Sequence, residues 1–533
     1  MIGGPNEPEV TLSVGGCYSL RSAAGEGFAH QRVGKLVPMI LHRADPVTCT
    51  RLDCFDQSLR RTDRLLLDLG SALELMTSDG GRVTQSIPRR AKFVVDLPDG
   101  PVKLALADMS PLRRLLPSGS VRLDRSTLAF VDDDQKIRCH ALVQILTASD
   151  GQSVTLVKLS GLRGYDKALA DMRRHLETSG ATDFSMSALY DLLFPTRTDY
   201  TAKPHLVLTA DQSAYDAATT IIASHIPVAR RNEAGIIADL DTEFLHDFRV
   251  ALRKIRSVLS LFKGVYQPAT TDDLKARFSA VMALTGPLRD QDVQRLEQPM
   301  FYDLLPDSLH GGLDAMFALH ETQRAAALVK LARHLSTKRY AQDMMELARV
   351  FDTPGLVEPG LVEPGLLEPG LLEPGPQADK PVQSYAFSLI WKRFQKSRQI
   401  ADAMGPETPD TEVHSLRIHC KKLRYLMEFS ASLVPEASFK AAIKPMKLLQ
   451  DHLGVFNDRS VQLLNLQTFL ARSGTWPDSS KLQIAQSIGA LTVVMHQRKQ
   501  DERLKIQSII SGFTSNQTQQ IFRDLFHARK PKS

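Results

Sequence analysis

In LHDFRVALRKIRSVLSLF, residues 245–262, the side chains of His246, Arg249, Arg253 and Arg256 return every three or four positions, with Lys254 beside them. Setting His246 at the origin and advancing about 100° per residue, these three arginines and the histidine share an arc of about 80°. Phe248, Leu252, Ile255, Leu259 and Phe262 gather between about 160° and 240° on the same wheel. One face is apolar and its neighbour is a ladder of cations. The chemistry such a ladder offers is anion binding, because arrays of Arg and Lys match phosphate oxygens.

The stretch occurs twice. HDFRVALRKIR (246–256) aligned on HSLRIHCKKLR (414–424) pairs His246 with His414, Arg249 with Arg417, Arg253 with Lys421, Lys254 with Lys422 and Arg256 with Arg424, at an offset of 414 − 246 = 168. The same offset carries GPLRDQDV (286–293) onto GVFNDRSV (454–461), Gly286 on Gly454 and Asp290 on Asp458. Tyr425 joins the basic face in the second copy only. A solvated basic flank beside a core stripe is the ordinary reading of one such helix. Like charges three and four apart repel, however, so two copies in one register argue for an anion held between them. The favoured ligand is a linear polyanion with closely spaced charges.

His246 and His414 are read as phosphate donors ahead of a purely structural role; as donors they would couple affinity to pH near about 6.5. No carboxylate or cysteine stands near them at ligand spacing, so no metal site is expected. Asp290 and Asp458 are expected to cap helices or orient the basic side chains. Arg289, Lys392, Arg393, Lys396, Arg398 and Lys447 are weaker candidates for the same surface.

The elements that must position these residues change texture along the chain. Its 533 residues suggest about two to four domains. Residues 1–195 alternate short apolar segments such as KFVVDL and VKLALADM with DG, DDD and SDGG, the punctuation of antiparallel strands and hairpins. A helix is expected at YDKALADMRRHLETSG, stopped by Gly180. From about residue 210 the spacing becomes helical throughout and suggests bundles joined by short turns. PGLVEPGLVEPGLLEPGLLEPG (354–375) cannot hold a regular helix and reads as a linker between two bundles.

Composition narrows the classes. A net charge of +6 is mild for this length, so any anion site must rest on local charge; residues 246–263 carry five cations against one anion. Aromatics make up 6%, which disfavours stacking platforms for single-stranded nucleic acid. Five cysteines without a CxxC suggest neither a disulfide framework nor a cysteine zinc site. The start lacks a signal-peptide pattern and no apolar run approaches about 18 residues, so a soluble cytoplasmic protein is expected.

DLDTEFLHDFRVALRKIRSVLSLF, LTGPLRDQDV, VHSLRIHCKKLRYLMEF and LLQDHLGVFNDRSV resemble the paired signatures of CHAD domains, the His-bearing α-helical domains. The resemblance implies an all-α domain over 205–533, built of two pseudo-symmetric four-helix bundles, about 205–350 and 380–533. It further implies a basic groove that binds inorganic polyphosphate, and association with polyphosphate granules and their proteins. The residues of the two ladders expected to contact the ligand are His246, Arg249, Arg253, Lys254, Arg256, His414, Arg417, Lys421, Lys422, Arg424 and Tyr425. Through RLDCFDQSLRRTDRLLLDLGSALEL, RVTQSI and VTLVKLSGLRGYDKAL, residues 1–195 resemble in outline a CYTH domain, an antiparallel β-barrel that hydrolyses triphosphates with Mg²⁺ or Mn²⁺. The whole chain then reads as an α+β multidomain protein.

The catalytic pattern of the CYTH resemblance is broken. Glu9 stands where the family has E-x-E-x-K, but Thr11 and Ser13 replace the other two positions; Glu74 occupies a strand that normally supplies arginines, and Pro88 replaces a lysine. Metal-assisted hydrolysis needs both carboxylates and cations. A degenerate module with no catalytic residues, no metal and no cofactor is expected. Two other readings stay open: a metal-dependent triphosphatase in the first half, and nucleic-acid binding by the basic face.

Overall fold

The computed structural model describes residues 13–21, 27–88, 91–198, 200–351, 372–405, 407–471, 474, 476 and 478–527. It divides into two compact units, Met1–Tyr200 and Thr201–Ser533.

The first unit contains strands β1 (Ser13–Arg21) and β2 (Val37–Asp53), helix α1 (Ser58–Arg61), strands β3 (Leu65–Asp68), β4 (Ala72–Met76) and β5 (Arg82–Ser86), helix α2 (Pro101–Ala105), strands β6 (Leu116–Val131), β7 (Ile137–Ala148) and β8 (Ser153–Gly161), helix α3 (Asp166–Thr178), strand β9 (Thr182–Asp183) and helix α4 (Met186–Leu193). They form one antiparallel sheet in the order β5-β4-β3-β2-β6-β7-β8-β1-β9. Three register shifts interrupt the long β2–β6 ladder. Such irregularities bend a strand and raise its twist, which lets a long sheet curl. Gly80, between β4 and β5 at φ +73°, lies so close to β1 that an added Cβ would sit 2.7 Å from Cys17 Cβ. Strands far apart in the ladder therefore meet in space. Among the described residues no pairing joins β5 to β9, so the coarse expectation of an antiparallel sheet holds without a closing ladder.

Apolar clusters fill both faces of this sheet. Leu169, Met172 and Leu176 of α3 pack on Leu128, Phe130, Val143 and Val157, while Met186, Leu189, Tyr190 and Leu193 of α4 pack on Leu67, Leu123, Leu146 and Leu156. The helix expected before Gly180 is α3, and Gly180 takes φ +83° just past it. Glu9 and Thr11 lie outside the described residues, Ser13 opens β1 and Pro88 is exposed just beyond β5. Glu74 is 2% exposed and accepts two hydrogen bonds from Arg125 Nη2, at 2.6 and 2.8 Å. Arg82 comes into the same electrostatic neighbourhood with all three guanidinium nitrogens buried and without a hydrogen-bond partner among the described residues.

The second unit is helical: α5 (Ala214–Ile237), α6 (Thr242–Leu261), α7 (Pro268–Leu284), α8 (Gly286–Leu304), α9 (His310–Leu335), α10 (Lys338–Val350), α11 (Val382–Asp402), α12 (Asp410–Phe429), α13 (Glu436–Ala471), α14 (Lys481–Thr514) and α15 (Asn516–Phe526). The 168-residue offset survives in the element boundaries. Adding 168 to Thr242–Leu261 gives 410–429, the bounds of α12, and 268 + 168 = 436 is the start of α13. The first copy breaks into α7 and α8 at Thr285, beside Pro287, whereas the second runs on as α13 with Val455 at the matching place. A proline cannot donate its backbone bond, which explains the break.

Local chemistry sets the ends of the site-bearing helices. Asp241 caps α6 by accepting from the backbone amides of Glu243 and Phe244 at 2.9 and 3.2 Å. Asp239, with φ +48°, turns the chain between α5 and α6, and Arg324 of α9 ties its carboxylate to Asp292 of α8 at 2.6 and 2.7 Å. Ser213 and Pro381, themselves 168 apart, form a bridge ahead of α5 and α11. Residues 354–371 of the five-residue repeat lie outside the described residues, but its last four positions are stitched down. Glu373 O accepts from Gln267 N at 3.0 Å and Gly375 N donates to Val265 O at 2.8 Å. That end is not free linker, because its carbonyls and amides complete the turn between α6 and α7.

A core of Phe301, Phe317, Leu466, Phe469, Ile484, Leu491 and Met495 joins α8 and α9 to α13 and α14. Gly312 of α9 is the tight point, since an added Cβ would lie 2.2 Å from both Gln483 O and Ser487 Oγ of α14. Alanine normally stabilises a helix by about 1 kcal/mol over glycine, but forcing apart two packed backbones costs about 1–3 kcal/mol. Gly312→Ala is therefore expected to lower the melting temperature followed by circular dichroism; a higher one would refute this packing.

Candidate functional site

Phe248, Leu252, Ile255 and Leu259 on α6 and Leu416, Cys420, Leu423 and Met427 on α12 are buried, α6 packing chiefly on α5 and α12 on α11, while α6 and α12 also touch each other. The neighbouring faces open onto a groove of about 580 Å³. His246, Arg253 and Lys254 line it from α6, and Arg417, Lys421, Arg424 and Tyr425 from α12. Lys203 adds a sixth cation besides the histidine, while Asp247, Glu428 and Asp451 are its carboxylates. Gln450 and Gly454 of α13 complete one wall.

The charges are crowded. Burial, then the fields of Arg253, Arg417 and Arg424, push the Lys421 ammonium down to about 8. Burial also lowers Lys254, partly offset by Glu428, and raises the Tyr425 phenol. Arg253 stands beside that phenol and opposes the rise, and its Nε is buried without a hydrogen-bond partner among the described residues. Lys421 Nζ stands 5.8 Å from the centroid of the Tyr425 ring. Buried cations that disfavour their own protonated state are placed to gain from an incoming anion.

Four of the expected residues do not line the groove, and in two cases the reason lies in the partner position of the other copy. Arg249 Nη1 donates to Thr285 Oγ1 at 2.5 Å and to Met282 O at 3.4 Å. Its counterpart Arg417 meets no such hydroxyl, because Thr285 corresponds to Leu453 (285 + 168), and it lines the groove. His414 Nδ1 is 3.0 Å from Asn457 Oδ1, whereas the residue equivalent to Asn457 in the first copy is Arg289 (457 − 168), and His246 lines the groove. Arg256 is half-buried outside the lining. Lys422 turns to another side of α12, into the fields of Arg393 and Lys263.

None of the weaker candidates lines the groove. Arg289 lies near Arg249 and Arg253 with Nη1 buried. Arg393 Nη1 is 3.2 Å from His419 Nδ1, and with Lys396 and Lys422 it depresses the ionisation of that histidine, which burial lowers first. This is a separate basic cluster on α11 and α12. Arg398 Nε pairs with Asp402 at 3.5 Å, and Lys392 and Lys447 are exposed. Asp290 and Asp458 sit inside α8 and α13 rather than at their caps, and Asp290 lies in the fields of Arg249 and Arg289, consistent with the orienting role. Among the described residues no group of three His, Cys, Asp or Glu is arranged to hold a metal, and no helix is long and apolar enough to cross a membrane.

Lys203, Asp247, Glu428 and Asp451 had not been singled out. Glu428 carried a legible signal, four residues after Arg424 on one helix face. Lys203 carried none, since it precedes the helices and reaches the groove only through the path of the chain.

The family model of the CHAD domain matches residues 220–467, a narrower span than the 205–533 expected. Among solved structures, the CHAD domain from the plant Ricinus communis aligns over 63% of this chain and 98% of its own, with 22% identity and a TM-score of 0.42. PptA from Streptomyces chartreusis aligns over 57% and 99%, with 12% identity and a TM-score of 0.41. Comparison with curated proteins finds no match. The two-copy helical signatures and the family match over the groove-bearing helices agree: residues 220–467 of this chain are a CHAD domain.

Proposed function

We propose that the groove binds inorganic polyphosphate, and that the protein acts as a polyphosphate-binding component of polyphosphate granules in the cytoplasm. The observation that carries this is the convergence of Arg253 from α6 with Arg417 and Lys421 from α12 on one half-open space, where burial and then the neighbouring cations bring Lys421 down to about 8. A flexible chain with a charge on every phosphate can answer several such cations at once. The matched bounds of α6 and α12 and the Ser213–Pro381 bridge support two bundles related by a pseudo-two-fold. Nucleic acid is the poorer ligand, because Tyr425 is the aromatic of the lining and its ring already stacks on Phe429 at 6.1 Å with the Lys421 ammonium 5.8 Å from its centroid, a poor platform for stacked bases.

For the first unit we propose a degenerate CYTH-like barrel without hydrolase activity, its Glu74 carboxylate engaged by Arg125. One observation favours the rival hydrolytic reading: Arg82, Arg125 and Glu74 still share the inner face of the sheet.

Three outcomes are expected. Replacing Arg253, Arg417 and Lys421 together by Ala abolishes measurable binding of long-chain polyphosphate at physiological salt and leaves the circular dichroism spectrum unchanged. Residual binding at low salt shows a log K against log salt slope shallower by about 2, at about 0.7 per lost phosphate contact. An unchanged slope refutes the site, and displacement by duplex DNA as readily as by polyphosphate at equal salt refutes the ligand. Polyanion binding favours the protonated ammonium of Lys421, so affinity falls as pH rises through about 8. Calorimetry in buffers of different ionisation enthalpy should then register proton uptake at that pH in the wild type and none there in Lys421→Arg. Finally, the full chain with Mn²⁺ or Mg²⁺ releases no phosphate from tripolyphosphate; sustained turnover abolished by Glu74→Gln would establish the enzyme instead.

A further inference from the structure

The groove contains its own anion. Glu428 Oε1 accepts from Arg424 Nε at 2.6 Å, and Glu428 Oε2 lies 4.0 Å from Lys254 Nζ. All three residues belong to the lining. Arg424 and Glu428 stand on α12 and Lys254 on α6, so one carboxylate spans the gap between the two helices. Arg253, Arg417, Lys421 and Lys203 have no carboxylate within ion-pair distance among the described residues. The six lining cations are therefore of two kinds, four without a carboxylate and two already answered.

This acid is not part of the duplicated pattern. Every basic position of the ladder has a basic counterpart, but Glu428 corresponds to Ser260 (428 − 168), which is exposed. Of the other lining carboxylates, Asp247 is mostly buried and Asp451 is exposed. Glu428 holds those two cations from the α12 side.

We propose that Glu428 is a built-in competitor for the ligand: its carboxylate occupies Arg424 and Lys254 until a polyanion with enough linked charge displaces it, and the residue thereby selects against small anions. An ion pair between partly exposed side chains is weak and screened by salt. A chain already anchored on Arg253, Arg417 and Lys421 presents its next phosphates at high effective concentration, which a free anion cannot do. Orthophosphate must displace the carboxylate with a single group, whereas polyphosphate does so as an intramolecular step. The inference rests on the polyphosphate reading of the groove.

The test compares wild type, Glu428→Gln and Glu428→Asp as full-length proteins, with long-chain polyphosphate titrated over a range of salt and orthophosphate added as competitor. Glu428→Gln frees two cations, so its log K against log salt slope should steepen by about 0.7–1.4. Its affinity at low salt should rise several-fold, and orthophosphate should compete at several-fold lower concentration than in the wild type. Glu428→Asp, which keeps the charge, should stay on the wild-type side of all three measurements. Equal slopes in wild type and Glu428→Gln overturn the competitor role and leave the polyphosphate reading standing. Weaker binding by Glu428→Gln at an unchanged melting temperature also overturns it, because the carboxylate then positions Arg424 and Lys254 rather than opposing the ligand. If none of the three proteins binds polyphosphate, the reading of the groove falls as well.

Discussion

Arg253 reaches from α6 to the phenol of Tyr425 on α12, into the fields of Lys421, Arg417 and Arg424, and the apolar backs of the two helices keep it there. At an effective dielectric of about 20, two like charges about 4 Å apart repel by about 4 kcal/mol. Each fully buried Leu, Ile or Phe returns about 1.5–3 kcal/mol, and α6 alone buries Phe248, Leu252, Ile255 and Leu259. The core face outweighs the repulsion of its neighbour. Cations on these helices consequently stay where a ligand can use them instead of spreading into solvent.

The two copies began as equals in register and ended unequal in chemistry. Thr285 holds Arg249 back from the groove while Leu453 leaves Arg417 free to line it, and Asn457 engages His414 where Arg289 stands in the first copy. Pro287 breaks the first copy's helix where Val455 lets the second continue. Each difference is a single side chain acting on an unchanged helical frame. A duplicated scaffold can in this way keep its geometry while only one copy supplies a given contact.

Much of this was legible because helical period and repeat register are properties of sequence alone. The amphipathic ladder, the change from strand to helix near residue 200, the helix before Gly180 and seven of the groove residues follow from spacing. Orientation around a helix is less accessible: Lys422 lies one position from Lys421 yet faces Arg393 and Lys263, because about 100° of rotation separates neighbours. Contacts made by distant segments are less accessible still. Lys203 and the Arg82–Glu74–Arg125 cluster depend on chain paths and sheet curvature that no local pattern encodes.

The anchoring of both flanks of the five-residue repeat bears on how this gene can vary. Phe351 before it and Leu372 near its end are buried, and Pro374 within that end bridges to Tyr266. Closing a longer loop between fixed ends costs only about 0.6 kcal/mol per doubling. With its exit and return held at these points, the helical frame constrains the ends of the tract and not its number of Pro-Gly-Leu-x-Glu units, so a chain one unit longer or shorter keeps both helical copies in register.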